Sequence, residues 1–303
     1  VILTALSWKQ VGYWKNTTAL FGRVIEVTPE NFSVYNYLGR NLYIAKKYNE
    51  AIAYYRQALR IYPYYGPTYY RLGEAFAKLG RIEEAMAQYR QALLIDPGDA
   101  RVHNSMGLAL IDKGRIGQAI AHFSEAVRLD PEDARAQNNL GNALSKLGRI
   151  EEAIIRYNEA LRLAPGFASA QNNLGLALIQ KGRTGEAVKF FSEATRERPD
   201  YVDAHFNLAM ALLKQGRYDE ALESFRQTIE IKPDDEKAQN CHEKAHNFMG
   251  IIFFSRGNLS AAEVHFREAL KINPAYRNAS DNLNRVLMLL KQREKTSGVE
   301  TDR

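Results

Sequence analysis

The 303-residue chain carries 41 Lys and Arg against 35 Asp and Glu, a net charge of +6. That surplus is modest and spread along the sequence, with no Lys/Arg block of the kind that marks a nucleic-acid tail, so a nucleic-acid role is set aside. Cys241 is the single cysteine, which excludes an intrachain disulfide and leaves the redox compartment open. No stretch reaches the roughly 20 apolar residues that a transmembrane helix needs.

The opening, VILTALS, is an apolar run that begins at the first residue. It reads either as the end of a hydrophobic upstream part or as an amphipathic packing helix in residues 1–10. Residues 11–29 read as the second helix of a half repeat, with Trp14 and Phe21 on its apolar face and Thr18 where an alanine is usual. Pro29 lies 34 residues before Pro63, so this segment is in register with the later ones.

From residue 32 a two-helix unit recurs every 34 residues, at 32–65, 66–99, 100–133, 134–167, 168–201 and 202–235. Its apolar residues recur at spacings of three and four, the period of a helix. A small residue sits in the first helix (Gly39, Gly73, Gly107, Gly141, Gly175, Ala209). A glycine from Gly80 to Gly216 marks the turn, where a left-handed residue closes the first helix. The second helix carries an alanine (Ala51 through Ala221) and, four residues on, an aromatic: Tyr55, Tyr89, Phe123, Tyr157, Phe191, Phe225. A proline from Pro63 to Pro233 ends each unit.

A fixed 34-residue helix-turn-helix period with this Leu-Gly, Ala, aromatic, Ala, Pro pattern resembles the tetratricopeptide repeat. The resemblance implies an all-α fold, a right-handed α-solenoid that stacks hairpins without a single central core. The first 30 residues, with WKQVGYWKN, then LF before VTPEN, resemble something narrower. They look like the junction in bacterial multi-spanning membrane proteins that join a mannosyltransferase-like membrane region to a tetratricopeptide tail. That likeness would place the repeats on the extracytoplasmic side, with any catalysis in an upstream membrane part.

A seventh repeat, 236–275, has Met249, Gly250, Phe253, Gly257, Ala262, Phe266 and Ala269 as its signature and ends at Pro274. Pro233 to Pro274 is 41 residues, so seven are inserted. Seven residues make about two helical turns, so they extend the first helix without rotating its buried face. Asp234 or Asp235 is the expected N-cap. Residues 276–295 read as a capping helix, with Leu283, Leu287 and Leu290 turned back onto repeat seven, and 296–303 as a disordered tail.

Within each repeat, the places one, four, five and eight after the first residue face the concave groove of such a solenoid. Two asparagine rows fall there: Asn139, Asn173 and Asn207, and one place earlier Asn104, Asn138 and Asn172; Asn142 lies a turn beyond Asn138. An amide offers both donors and acceptors, so a row of them suits the backbone of an extended peptide. The first row resembles the asparagine ladder in the superhelical repeats of O-linked N-acetylglucosamine transferase, with three rungs; the same place holds Tyr37, Arg71, Ser105 and Phe248 elsewhere. The alternative is that these asparagines cap or bridge neighbouring helices. Arg71, Arg101 and Arg135 would favour acidic groups on a ligand. With the asparagines, Arg101 and Arg135 imitate only in part the Lys/Asn clamp for a terminal carboxylate in co-chaperone repeats.

Eleven of the 17 tyrosines lie between Tyr35 and Tyr70. Tyr37, Tyr43 and Tyr70 take groove-facing places, which suits a binding surface, or else they thicken a core that docks onto an upstream part. His242, Glu243 and His246 match H-E-x-x-H, but His246 repeats the position of His103 and His205, so no metal or cofactor is expected. The leading expectation is a non-catalytic scaffold whose groove binds a protein or extended peptide segment. The runner-up is the acceptor-binding tail of a membrane glycosyltransferase. Self-association into a homo-oligomer is a third class.

Overall fold

A computed structural model describes residue 28, residues 30–231 and residues 235–300. The readings made on residues 1–27, on Pro29 and Pro233, and on Asp234 as a cap lie outside the described residues. These residues fall into two compact units, one ending at Leu147 and the other beginning at Gly148. The first unit holds α1 (Phe32–Ile44), α2 (Tyr48–Ile61), α3 (Gly66–Lys78), α4 (Ile82–Ile95), α5 (Ala100–Asp112), α6 (Ile116–Leu129) and α7 (Ala134–Lys146). The second holds α8 (Ile150–Leu163), α9 (Ala168–Gln180), α10 (Thr184–Glu197), α11 (Val202–Lys214), α12 (Tyr218–Glu230), α13 (Glu236–Ser255), α14 (Leu259–Ile272) and α15 (Arg277–Glu300). Among the described residues there is no strand. The helices pair in sequence as tetratricopeptide hairpins do, and none is long and apolar enough to cross a membrane.

The sequence pattern explains each hairpin. The second-helix alanines Ala51, Ala85, Ala119, Ala187, Ala221 and Ala262 are fully buried, and the aromatic four residues on is buried with them. That ring lies where the first helix has its small residue. At Gly175 an added Cβ would stand 2.5 Å from Phe191 Cε1, so only hydrogen fits. The turn glycines take φ between +69° and +76°. The first repeat lacks one, and Lys46 holds the left-handed conformation there at φ +61°. For a residue with a Cβ that conformation costs about 1–2 kcal/mol.

The inserted seven residues do what their number predicts. The first helices α1, α3, α5, α7, α9 and α11 are each 13 residues long, whereas α13 has 20. The Asp235 carbonyl accepts from Ala238 and Gln239, which opens α13 at that point. Leu283 and Val286 of α15 are buried against Leu259 and Phe266, with Leu287 and Leu290 beside them, so this helix closes the seventh repeat. It runs to Glu300, which corrects the expected stop at 295 and the disordered reading of 296–300. No proline interrupts the segment, and an unbroken backbone ladder continues at little cost per residue.

Candidate functional site

The residues expected to face a groove lie on the first helices. In the first unit these are α1, α3, α5 and α7; in the second, α9, α11, α13 and α15. The two asparagine rows form one set of bonds between neighbouring first helices. Asn139 Nδ2 donates to Asn104 Oδ1 at 3.0 Å, and Asn207 Nδ2 to Asn172 Oδ1 at 2.9 Å. A third rung, Asn282 Nδ2 to Asn247 Oδ1 at 3.1 Å, ties the capping helix to α13. In the first two rungs the acceptor is the fifth residue of its repeat and the donor the sixth of the next, and Asn247 and Asn282 keep the same 35-residue interval. Asn138 and Asn172 are buried, whereas Asn104, Asn139, Asn142, Asn173 and Asn207 are partly exposed. The bridging alternative therefore describes Asn104, Asn139, Asn172 and Asn207. One rung uses one N–H and one lone pair, which leaves each partly exposed amide further capacity. Where the fifth and sixth places hold Phe206 and Phe248, rings substitute for the rung. Phe248 lies 6.4 Å from Phe206 and stacks on Phe225 at 5.9 Å.

Three clefts open between these helices at the same place in their repeats. In the first unit, a cleft of about 330 Å³ lies among Tyr43, Glu74, Tyr89, Ser105, Leu108 and Asp112. In the second unit, one of about 320 Å³ is lined by Leu176, Ile179, Met210 and Leu213, with Asn207 at its edge. A smaller one of about 190 Å³ lies among Ile251, Phe254, Asn282 and Arg285. The first two take the ninth residues of their repeats, Glu74 and Leu108, then Leu176 and Met210; Ile251 and Arg285 stand at the equivalent places once the seven inserted residues are left out. Leu108, Leu176 and Ile251 are exposed, although large and apolar.

The first-unit cleft is the polar one. The Tyr70 hydroxyl donates to Glu74 Oε1 at 2.9 Å, one helical turn away. Burial pushes the Glu74 carboxyl above its usual range, against the lowering pull of this bond and of Lys78, Arg71 and Arg101. Burial, with Glu74 adding to it, pushes the Tyr43 phenol up to about 12. Tyr70 and Tyr89 are raised for the same reasons. Tyr43 is set edge-on to Tyr48 at 5.4 Å, and Tyr70 lies 6.1 Å from Tyr89. Arg101 is already engaged: it pairs with Asp99 at 2.7 Å and lies over the Tyr70 ring at 5.4 Å. Arg135 and Tyr37 are exposed, and Arg71 is half-buried.

The H-E-x-x-H residues do not converge. His242 is buried with Nε2 3.1 Å from the Ile231 carbonyl oxygen, and His246 Nδ1 is 3.1 Å from His265 Nδ1. No group of three metal-ligating side chains forms among the described residues. The fourth place of the repeat has a structural use: Gln137, Gln171 and His205 each reach back to the carbonyl of the proline that ends the preceding repeat.

The same register that selects Asn142 also selects Glu74, Leu108, Leu176, Met210 and Ile251, none of which belongs to the asparagine or tyrosine sets. Their signal is an uncharged or acidic side chain at a place where a solvated helix face carries Arg or Lys.

Helix hairpins of fixed length, with first helices joined by amide rungs and a small residue under each aromatic, define a tetratricopeptide-repeat protein. The family model of the cilia and flagella-associated protein 70 C-terminal domain matches residues 9–247, and the chain belongs to that family. A tetratricopeptide repeat model matches residues 243–276, the seventh repeat. None of the curated proteins matches the sequence. Among solved structures the chain is similar to the APC/C hetero-tetramer Cut9-Hcn1, with 21% identity over 89% of this chain and 52% of that one, at a TM-score of 0.66. It thus spans about half the length of that relative. It is similar to YrrB, a TPR protein with an unusual peptide-binding site, at 24% identity over 61% of this chain and 96% of that one, TM-score 0.50. It is also similar to pilF of Pseudomonas aeruginosa, at 22% identity over 71% and 95%, TM-score 0.62. At these identities the likeness is one of fold. The family match takes in most of the first 30 residues, and none of these relatives is a mannosyltransferase.

Proposed function

We propose that the chain is a non-catalytic scaffold that binds an extended segment of a partner protein along the first helices of its repeats. The observation that carries this is the recurrence of one cleft in one register, with Leu176 and Met210 lining it in the second unit and Glu74 and Tyr43 in the first. Adjacent first helices pack about 8–10 Å apart, close to three residues of extended chain. Within the second unit, the clefts at Leu176 and Met210 and, two repeats on, at Ile251 and Arg285 would take side chains from a strand-like ligand, with Asn207 and Asn282 beside them for its backbone. YrrB, a relative of the same fold with a peptide-binding site, supports the class of partner.

Peptides selected from a displayed library on the parent chain test the reading. Capture is expected to fall at least tenfold for Leu176→Lys and Met210→Lys. It is expected to survive Ile155→Lys, an exposed change on a second helix. If first-helix changes leave every captured peptide bound, the reading fails.

A further inference from the structure

The second helices carry a regular outer surface. At the start of four of them, an arginine forks onto a glutamate three residues on: Arg81 with Glu84, Arg149 with Glu152, Arg183 with Glu186, and Arg217 with Glu220. Toward the end of three second helices another arginine is paired: Arg128, Arg162 and Arg196 with Glu125, Glu159 and Glu197. One departure from this pattern lies in the first unit. Arg115 has Gln118 where its glutamate belongs and Gly117 where Glu83 and Glu151 stand in neighbouring repeats. Leu94 takes the place of the late arginine and is 74% exposed.

These departures surround one feature. A cleft of about 550 Å³ opens between α4, α5 and α6, with an apolar floor that includes Met86, Leu93, Met106 and Leu110. Arg90 and Arg115 stand at its rim, and neither forms an ion pair among the described residues. The nearby carboxylate, Glu83, is taken by Lys113 at 3.0 Å, and His122 is taken by His103. Beside the paired arginines of other second helices, this stretch leaves Arg90 and Arg115 sharing only the pull of Glu83 and adds an exposed leucine.

We propose that this cleft docks an acidic amphipathic segment of a partner protein. Its apolar side chains would sit over Met86 and Leu110 beside Leu94, and its carboxylates would meet the guanidinium forks of Arg90 and Arg115. Charge-assisted guanidinium–carboxylate bonds at the edge of a desolvated apolar floor are the arrangement that concentrates binding energy. The site lies between second helices α4 and α6 over Met106 and Leu110 of α5, and it shares no residue with the first-unit cleft of the proposed function.

A library of random 16-residue displayed peptides, depleted first on a L94R/R115E variant and then captured on the parent chain, tests the proposal. Leu94 is exposed, and L94R introduces the residue type that the first, third, fourth and fifth repeats carry there, so the variant keeps the fold; circular dichroism checks this. The expected survivors join Asp or Glu to Leu, Ile, Met or Phe. They lose at least tenfold in affinity for L94R and for R115E, weaken with added salt, and bind Leu176→Lys unchanged. No survivors after depletion, or survivors without acidic residues, overturn the proposal. So does a dimer in sedimentation that L94R dissolves, because the occupant would then be a second copy of this chain.

Discussion

Replacing Gly175 by alanine puts a methyl group 2.5 Å from Phe191 Cε1 and 2.8 Å from Cδ1 and Cζ. Carbon atoms in contact rest at about 3.5–4.0 Å, so ring and helix must part by roughly 1 Å. Phe191 is 1% exposed and has no open side to turn toward. Overpacking of this kind costs about 1–3 kcal/mol. The sixth repeat has Ala209 over its buried Phe225, so the backbone can yield, which favours the lower half of that range. Alanine also returns about 1 kcal/mol of helix propensity. Gly185, in the other helix of the same repeat, isolates that second effect: an added Cβ there meets only Gln215 Nε2, at 3.6 Å. Gly185→Ala should therefore be neutral or stabilising by up to about 1 kcal/mol. Gly175→Ala should come out about 1–2 kcal/mol less stable than Gly185→Ala. Urea unfolding followed by circular dichroism reads both, and Phe191→Leu should shrink the difference. Equal midpoints for the two alanine variants would refute the argument that the ring occupies the place of a glycine side chain.

Leu174→Ala and Leu140→Ala each remove a buried leucine and should cost about 2–5 kcal/mol, read as a lower urea midpoint. Lys46→Gly relieves the left-handed strain of the first turn and should stabilise by up to about 1 kcal/mol, seen as a raised melting temperature. Burial, together with His265 facing it, holds His246 down at about 4, and His265 and His122 are also depressed. These rings stay neutral in the fold while the unfolded chain takes up protons below about 6.5, so their contribution is full above that pH and is lost as the pH falls toward 4. Between pH 7 and 5 the loss should reach about 1–2 kcal/mol for the His246–His265 pair, and a His246→Gln/His265→Gln variant should flatten that slope.

The 34-residue spacing made the hairpins legible, because a ring at Phe191 and a glycine at Gly175 require each other at one separation. It also made the length of α13 legible, because seven residues return a helix to the same face. Lys46 was hidden: nothing in its side chain announces a left-handed turn, and only the surrounding hairpin forces it. The asparagines were visible as residues but not as pairs. An amide suits a ligand and a neighbour equally, and only coordinates show that Asn104 meets Asn139 rather than solvent. Glu74 was missed because an acid on a helix face is ordinarily solvated, and its burial depends on Tyr70 and Tyr89. The His103–His122 and His246–His265 pairs share a separation of 19 residues that sequence displays but does not interpret.

The rung between Asn247 and Asn282 closes over 35 residues, as do those between Asn104 and Asn139 and between Asn172 and Asn207. The extra length of α13 lies ahead of Asn247 and leaves that interval untouched. A single residue added within a first helix ahead of its rung asparagine would swing that asparagine through about 100° and sever the tie. Whole turns added at the entrance of a first helix keep its face and are admissible, whereas single residues there are penalised, so the amide tie acts as a ruler on how this array can lengthen.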